Sequence, residues 1–200
     1  MFSYIEGKLT EKNPTYAVID CGGVGFSLLI SLNTYSTLPE VNKTCKLFAH
    51  AIIKSEATTP VGLVIYGFAN EEEKTVFLEL TSVSGVGNNT ARLILSSLTT
   101  SEVISAISMG DVSTFRKVKG IGEKTAQRLI IDLKDKIGKG IPSKEILLQP
   151  NNTLRIEALS ALVMLGFQKN TAEKAIDKVL KNDGIIISLE ETIKQALKFL

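Results

Sequence analysis

Set in register, Val83–Leu95 (VSGVGNNTARLIL) and Val118–Ile130 (VKGIGEKTAQRLI) agree in Val, Gly, Gly, Thr and Ala at five of thirteen positions. Apolar Val86 and Ile121 stand between the paired glycines, and apolar Leu95 and Ile130 follow at equivalent places. A repeat this short is a supersecondary unit, not a domain. Each copy follows one segment of helical period and opens another, which predicts helix, tight hairpin and helix, made twice.

The residue types point to an anion. Gly85, Gly87, Gly120 and Gly122 permit backbone angles that a Cβ disfavours, and they let a ligand come close to the main chain. The N–H groups of each hairpin and of the next helix's first turn lack an internal partner and lie at the positive end of the helix dipole. Thr90 and Thr125 fall in those first turns, where a hydroxyl supports the turn or reaches a phosphate. Val86 and Ile121 are expected to turn inward and fasten the hairpin. Contacts of this kind touch phosphates and not base edges, so they set register without reading sequence. A single G-x-G often does no more than end one helix and begin another; two copies followed by the same Thr-Ala favour phosphate binding.

Charge supports this placement. The chain carries a net charge of only +2, yet residues 112–140 hold eight bases against Glu123, Asp132 and Asp135. Lys124 and Arg128 lie one helical turn apart after the second hairpin, and Lys117 and Lys119 precede it. Lys134 and Lys136 read as a solvated helix face. The first copy has Asn88-Asn89 where the second has Glu123-Lys124, leaving Asn89 and Arg92 near a hairpin that relies on its backbone donors.

Catalysis is not expected. No G-x-x-x-x-G-K-[ST] run occurs, so no Walker-type ATP site is predicted. Cys21, Cys45 and the single His50 have no metal-ligand spacing, and neither a metal nor another cofactor is expected. No carboxylate cluster suits two metal ions. A helix-hairpin-helix glycosylase is argued against, since it places one hairpin and a catalytic Asp in an all-helical domain. A non-specific DNA adaptor that recruits a nuclease or repair factor through its tail is a second alternative, since it would use the same phosphate grip. No apolar run approaches the ~20 residues of a membrane span, and no signal segment is visible, so a soluble cytoplasmic protein is expected.

Around the repeat the chain changes period. Phe2–Thr10, Thr15–Cys21, Val24–Leu32, Thr44–Lys54 and Gly62–Phe68 read as strands, with turns at Asn13-Pro14 and Gly22-Gly23 and a helical turn within Asn33–Pro39. Five strands in 70 residues predict a small closed barrel; an OB fold fits, and strand count alone leaves an SH3-like barrel open. Helices are expected from Glu71, then over Asn89–Ser97, Ser101–Ser108, Asp111–Lys117 and Glu123–Ile137. Gly110-Asp111 reads as a stop and a new cap. Residues 138–152 suit a flexible linker. Thr153–Leu165, Thr171–Lys181 and Ser188–Phe199 read as three helices, the last opened by a Ser188/Glu191 capping box. The fold class is α+β: a barrel domain at 1–69, a tandem helix-hairpin-helix domain at 70–137, the linker, and a three-helix module at 153–200.

This whole-chain order resembles the RuvA family of bacterial Holliday-junction-binding subunits. The resemblance rests on Gly22-Gly23-Val24-Gly25, Leu63–Phe68 ending in Tyr66-Gly67-Phe68, Gly85-Val86-Gly87, and Gly120 to Ala126 leading into Arg128-Leu129-Ile130. It implies an OB-fold barrel and a homotetramer that holds a four-way junction open, and it leaves tetramer or octamer on DNA as alternatives. It implies work in branch migration during homologous recombination, DNA repair and the SOS response to DNA damage, with no ATPase site of its own. The partners implied are the RuvB motor ATPase and the RuvC junction resolvase. The tail resembles a ubiquitin-associated-type module, and the resemblance assigns RuvB contacts to Leu162, Leu165, Phe167 and Leu197. In the family two adjacent acidic residues on a barrel loop form a pin at the junction centre. Here the longer stretch Lys54–Gly62 holds only Glu56, to which that role falls.

Overall fold

The computed structural model describes residues 2–56, 59–140, 150–182 and 188–200, in two compact units, Met1–Ile141 and Pro142–Leu200. The first unit opens with strands β1 (Tyr4–Asn13), β2 (Tyr16–Asp20) and β3 (Gly25–Leu29), a short helix α1 (Leu32–Thr37), and strands β4 (Thr44–Glu56) and β5 (Thr59–Phe68). They close into a barrel in the order β1-β2-β3-β5-β4, antiparallel except for β3 beside β5. That order and the parallel pair make the barrel an OB fold, the question that strand count left open. Gly22 and Gly23 form the β2–β3 turn at φ 67° and 94°, with Gly23 N–H donating to Asp20 Oδ1 at 2.7 Å.

Alternation along β4 and β5 gives each strand two jobs. Leu47, Ala49 and Ile65 fill the barrel with Ile5, Leu9, Ile19 and Leu28. On the outer face Phe48, His50, Tyr66 and Phe68 meet the helices, and Phe77 stacks against Tyr66 and Phe68 with centroids 5.0 and 4.9 Å apart. The barrel and the helices have separate cores within one compact unit. Both cysteines are free; Cys45 is buried, whereas Cys21 is only half-buried, with Sγ 3.2 Å from Glu6 O.

The helical part comprises α2 (Glu71–Ser82), α3 (Asn88–Ser97), α4 (Thr100–Met109), α5 (Val112–Arg116) and α6 (Glu123–Gly140). Their apolar faces, including Phe77, Leu80, Ile94, Ile107, Phe115 and Leu129, make one core. Gly110 at φ 72° ends α4 and Asp111 caps α5, as the Gly-Asp pair predicts. A reciprocal capping box forms at Thr99 and Glu102, a place the sequence reading passed over. At Ser188 only half a box forms: Ser188 Oγ accepts from Glu191 N–H, while the Glu191 carboxylate accepts from Gln195.

The second unit holds α7 (Pro150–Met164), α8 (Lys169–Asn182) and α9 (Leu189–Leu197) around Ala158, Leu162, Ile176, Val179 and Ala196. The bounds of the expected linker contract. Residues 138–140 extend α6, and Pro150 opens α7 at the first helical position, where its missing N–H removes no bond. Residues 141–149, the middle of that linker, lie outside the described residues. Among the described residues no helix is long and apolar enough to cross a membrane.

Candidate nucleic-acid interface

The two repeat copies fold alike, bond for bond. Val86 N–H donates to Val83 O at 3.0 Å and Ile121 N–H to Val118 O at 3.1 Å, closing each hairpin. Ala91 N–H reaches Gly87 O and Ala126 N–H reaches Gly122 O, both at 2.9 Å, starting each helix. Gly85 and Gly120 hold φ of 92° and 90°, the left-handed region that a Cβ penalises. Val86 and Ile121 are buried at 4% and 6% exposure. Their side chains face the core and the hairpin uses their N–H groups, so they fasten it.

The second glycine of each pair is different. Gly87 has φ −82° and ψ 168°, an extended conformation open to any residue, and Gly122 has no positive φ. A Cβ built on either one meets nothing within 4 Å. Gly87 caps α3 without a side-chain hydrogen bond, though Ser, Thr, Asp or Asn would supply one. Neither backbone angle nor internal packing asks for glycine here. Each helix therefore starts at a bare residue where the protein leaves room for a side chain, a condition that favours close approach of an anion to the first-turn N–H groups.

Cations border the second hairpin. Lys117, Lys119 and Lys124 are exposed, and among the described residues they form no ion pair or side-chain hydrogen bond. Thr90 and Thr125 are half-buried in their first turns, and Asn89 is exposed. Arg128 is exposed, with Nη1 3.5 Å from Ser84 O, which places the second motif's helix beside the first hairpin. Arg116 binds Glu123 at 2.9 Å, a pair the sequence reading missed. It offsets the charge of a carboxylate in the first turn of α6. Lys136 is not simply solvated: it bonds Ser82 Oγ at 2.9 Å and lies 3.6 Å from Glu79.

Arg92 departs from expectation. Its Nη1 donates to Thr15 O in the β1–β2 turn at 2.9 Å, so part of its donor set is used inside the protein. Glu56 ends β4 with its Cα paired to that of Thr59, so the long stretch there is mostly an extension of the β4–β5 ribbon; residues 57 and 58 lie outside the described residues. On that ribbon Ile53 and Leu63 face each other and are exposed.

In the second unit, Leu162 is fully buried in the three-helix core, which removes it from the expected contact set. Leu165, Phe167 and Leu197 are exposed at 62%, 36% and 40%, and Met164, unforeseen, at 88%. Gly166 at φ 98° sets this loop: Phe167 N–H returns to Leu162 O at 3.1 Å and Gly166 N–H to Val163 O at 3.0 Å, a Schellman ending for α7. Leu162 is consumed by the core because it lies a turn before that ending, on the packed face of α7. Among the described residues no group of His, Cys, Asp and Glu could hold a metal ion.

A closed OB barrel carrying two matched hairpins with bare, cation-bordered helix starts defines a protein of the tandem helix-hairpin-helix nucleic-acid-binding class. Residues 1–59 match the RuvA N terminal domain, residues 77–135 the SAM-like helix-hairpin-helix tandem, and residues 154–200 the RuvA C-terminal domain. The protein named Holliday junction branch migration complex subunit RuvA from Flavobacterium psychrophilum is 48% identical over 200 residues, covering 99% of each chain. Those of the same name from Christiangramia forsetii and Bacteroides thetaiotaomicron are 46% and 44% identical, again covering 99% of each chain. The chain belongs to the RuvA family.

Proposed function

We propose that this protein is a non-catalytic DNA-binding subunit that grips the phosphates of a four-way junction and presents it to a branch-migration motor. The observation that carries this reading is the pair Gly87 and Gly122, bare where the chain leaves room for a side chain. Backbone N–H groups after Gly85-Val86-Gly87 and Gly120-Ile121-Gly122, with Asn89, Thr90 and Thr125, take the phosphates. Lys117, Lys119, Lys124 and Arg128 neutralise them, and Arg92 contributes only the donors that Thr15 leaves free. The relatives' shared name, a subunit of a Holliday junction branch migration complex, supports the junction as the substrate.

In this reading a homotetramer surrounds the junction centre, with Glu56 from each chain repelling phosphates there. Leu165, Phe167, Leu197 and the added Met164 form the apolar contact for the RuvB ATPase, which supplies ATP hydrolysis. The setting is recombination and repair in the cytoplasm.

Titration of a labelled four-way junction and an equal-length duplex at matched salt tests the reading. Tighter junction binding is expected, and equal affinity defeats it. Lys124→Ala is expected to reduce the slope of log K against log salt by ~0.9 for the phosphate contact removed. An unchanged slope removes Lys124 from the interface.

A further inference from the structure

The two hairpins are referenced to different parts of the protein. Among the described residues, the second motif's polar ties, Arg116–Glu123, Arg128–Ser84 and Lys136 to Ser82 and Glu79, stay within the helical part and its hairpins. The first motif's helix is tied to the barrel. Asn33, in α1, donates through Nδ2 to Leu95 O at 2.7 Å and to Leu98 O at 2.9 Å. A helix leaves its last carbonyls without internal donors, and one amide group with two N–H donors serves one of them, Leu95 O, together with the carbonyl of the C-cap residue Leu98. Leu32 N–H donates to Ser96 Oγ at 3.1 Å, and Arg92 reaches Thr15 O from the middle of the same helix. The helix α1 is itself fixed to α2, since Ser31 Oγ and Thr34 Oγ1 donate to the two oxygens of buried Glu73 at 2.5 and 2.6 Å.

The helix α3 has ten residues, so about 15 Å separates its clamped C-terminus from the hairpin at its start. A rod held at its far end carries its N-terminal donors in a direction set by the clamp. We propose that Asn33 is a positioning residue for DNA. It acts through α3 to fix where the first hairpin's backbone N–H groups point relative to the barrel, so that barrel and hairpin meet one junction in register. The inference rests on the phosphate grip proposed above.

The test is a double-mutant cycle in the full-length protein with a labelled four-way junction. Asn33→Ala is made in the natural sequence, with Gly87→Val and with Gly122→Val, the valines covering the first and second sites. Alone it is expected to weaken junction binding about tenfold, within the coupling expected inside one network. Beside Gly87→Val it should add nothing, because the hairpin it aims is already lost; beside Gly122→Val the full loss should remain. A merely structural role would cost the same in all three backgrounds, and that result overturns the proposal, as does no loss in the natural sequence. Should Asn33→Ala fail to fold, Ser96→Ala, which removes one tie of the clamp, is expected to show the same pattern at smaller size. If the glycine variants bind as tightly as the natural protein, the phosphate grip itself fails. If they lose affinity while Asn33→Ala does not, only the positioning role falls.

Discussion

At the scale of single residues, the two glycines of each hairpin answer to different physics, and substitution separates them. Gly120 has a φ of 90°, so Gly120→Ala should cost about 1–2 kcal/mol in stability, read as a lower urea midpoint. Gly122 and Gly87 have neither strain nor crowding. Gly87→Ser should leave stability unchanged or slightly raised through a better cap, while junction affinity falls. An affinity that survives Gly87→Ser would mean nothing approaches that cap closely. Asp111 gives a pH signature. Hydrogen bonds from the Ser113 and Thr114 hydroxyls hold its carboxyl at about 2, below an ordinary 3.8. The native pKa is the lower one, so its stabilisation is complete above pH ~4 and is lost as pH falls toward 2. Asp111→Asn should flatten the unfolding midpoint's pH dependence in that window; an unchanged profile would remove Asp111 as its source.

At the scale of elements, the joint between barrel and helices adds a buried polar cluster to its aromatic packing. Glu73 is 4% exposed and accepts from Ser31, Thr34 and Ala69 N–H, the last at 3.1 Å. Glu73→Ala strands those donors and is expected to cost about 2–3 kcal/mol, measured by denaturant unfolding. A smaller loss than Gly120→Ala would show that water replaces the carboxylate. Glu73 stands in an acidic triplet that reads as a helix start, and the triplet does not say which carboxylate turns inward. Outside the β4–β5 ribbon tip, element type was legible across the described residues, because alternation in β1–β5 and the helical period after Asn70 are local patterns. Ends were less so. The sequence suggests a linker at 138–152, yet helices occupy both of its edges, since glycine at a helix's last turn and proline at its first are both tolerated.

At the scale of the whole molecule, the second unit has its own small core and its own exposed apolar surface, and the two respond differently to truncation. Leu162→Ala should destabilise that module by about 2–5 kcal/mol, because Leu162 is fully buried. Met164→Ala and Leu165→Ala should leave its unfolding within about 0.5 kcal/mol of the natural protein yet weaken capture of the RuvB ATPase. Unfolding followed by circular dichroism and binding followed by calorimetry check the two halves; unweakened binding by Met164→Ala and Leu165→Ala would move the partner surface elsewhere. The stretch Leu162–Phe167 contains both kinds of residue, and a one-dimensional pattern places them together.

The repeated hairpin, the barrel-forming strands and the concentration of bases near Gly120 are determined by sequence alone. Each depends on neighbours in the chain: glycine between apolar residues, alternation, and charge per segment. Tertiary structure decided the rest. It took part of Arg92 for the barrel, bound Glu123 to Arg116, sent Leu162 into a core and tied Asn33 to the end of α3. In each case the partner lies on a different element, and a side chain's remaining donors and exposed surface are known only once that element is in place.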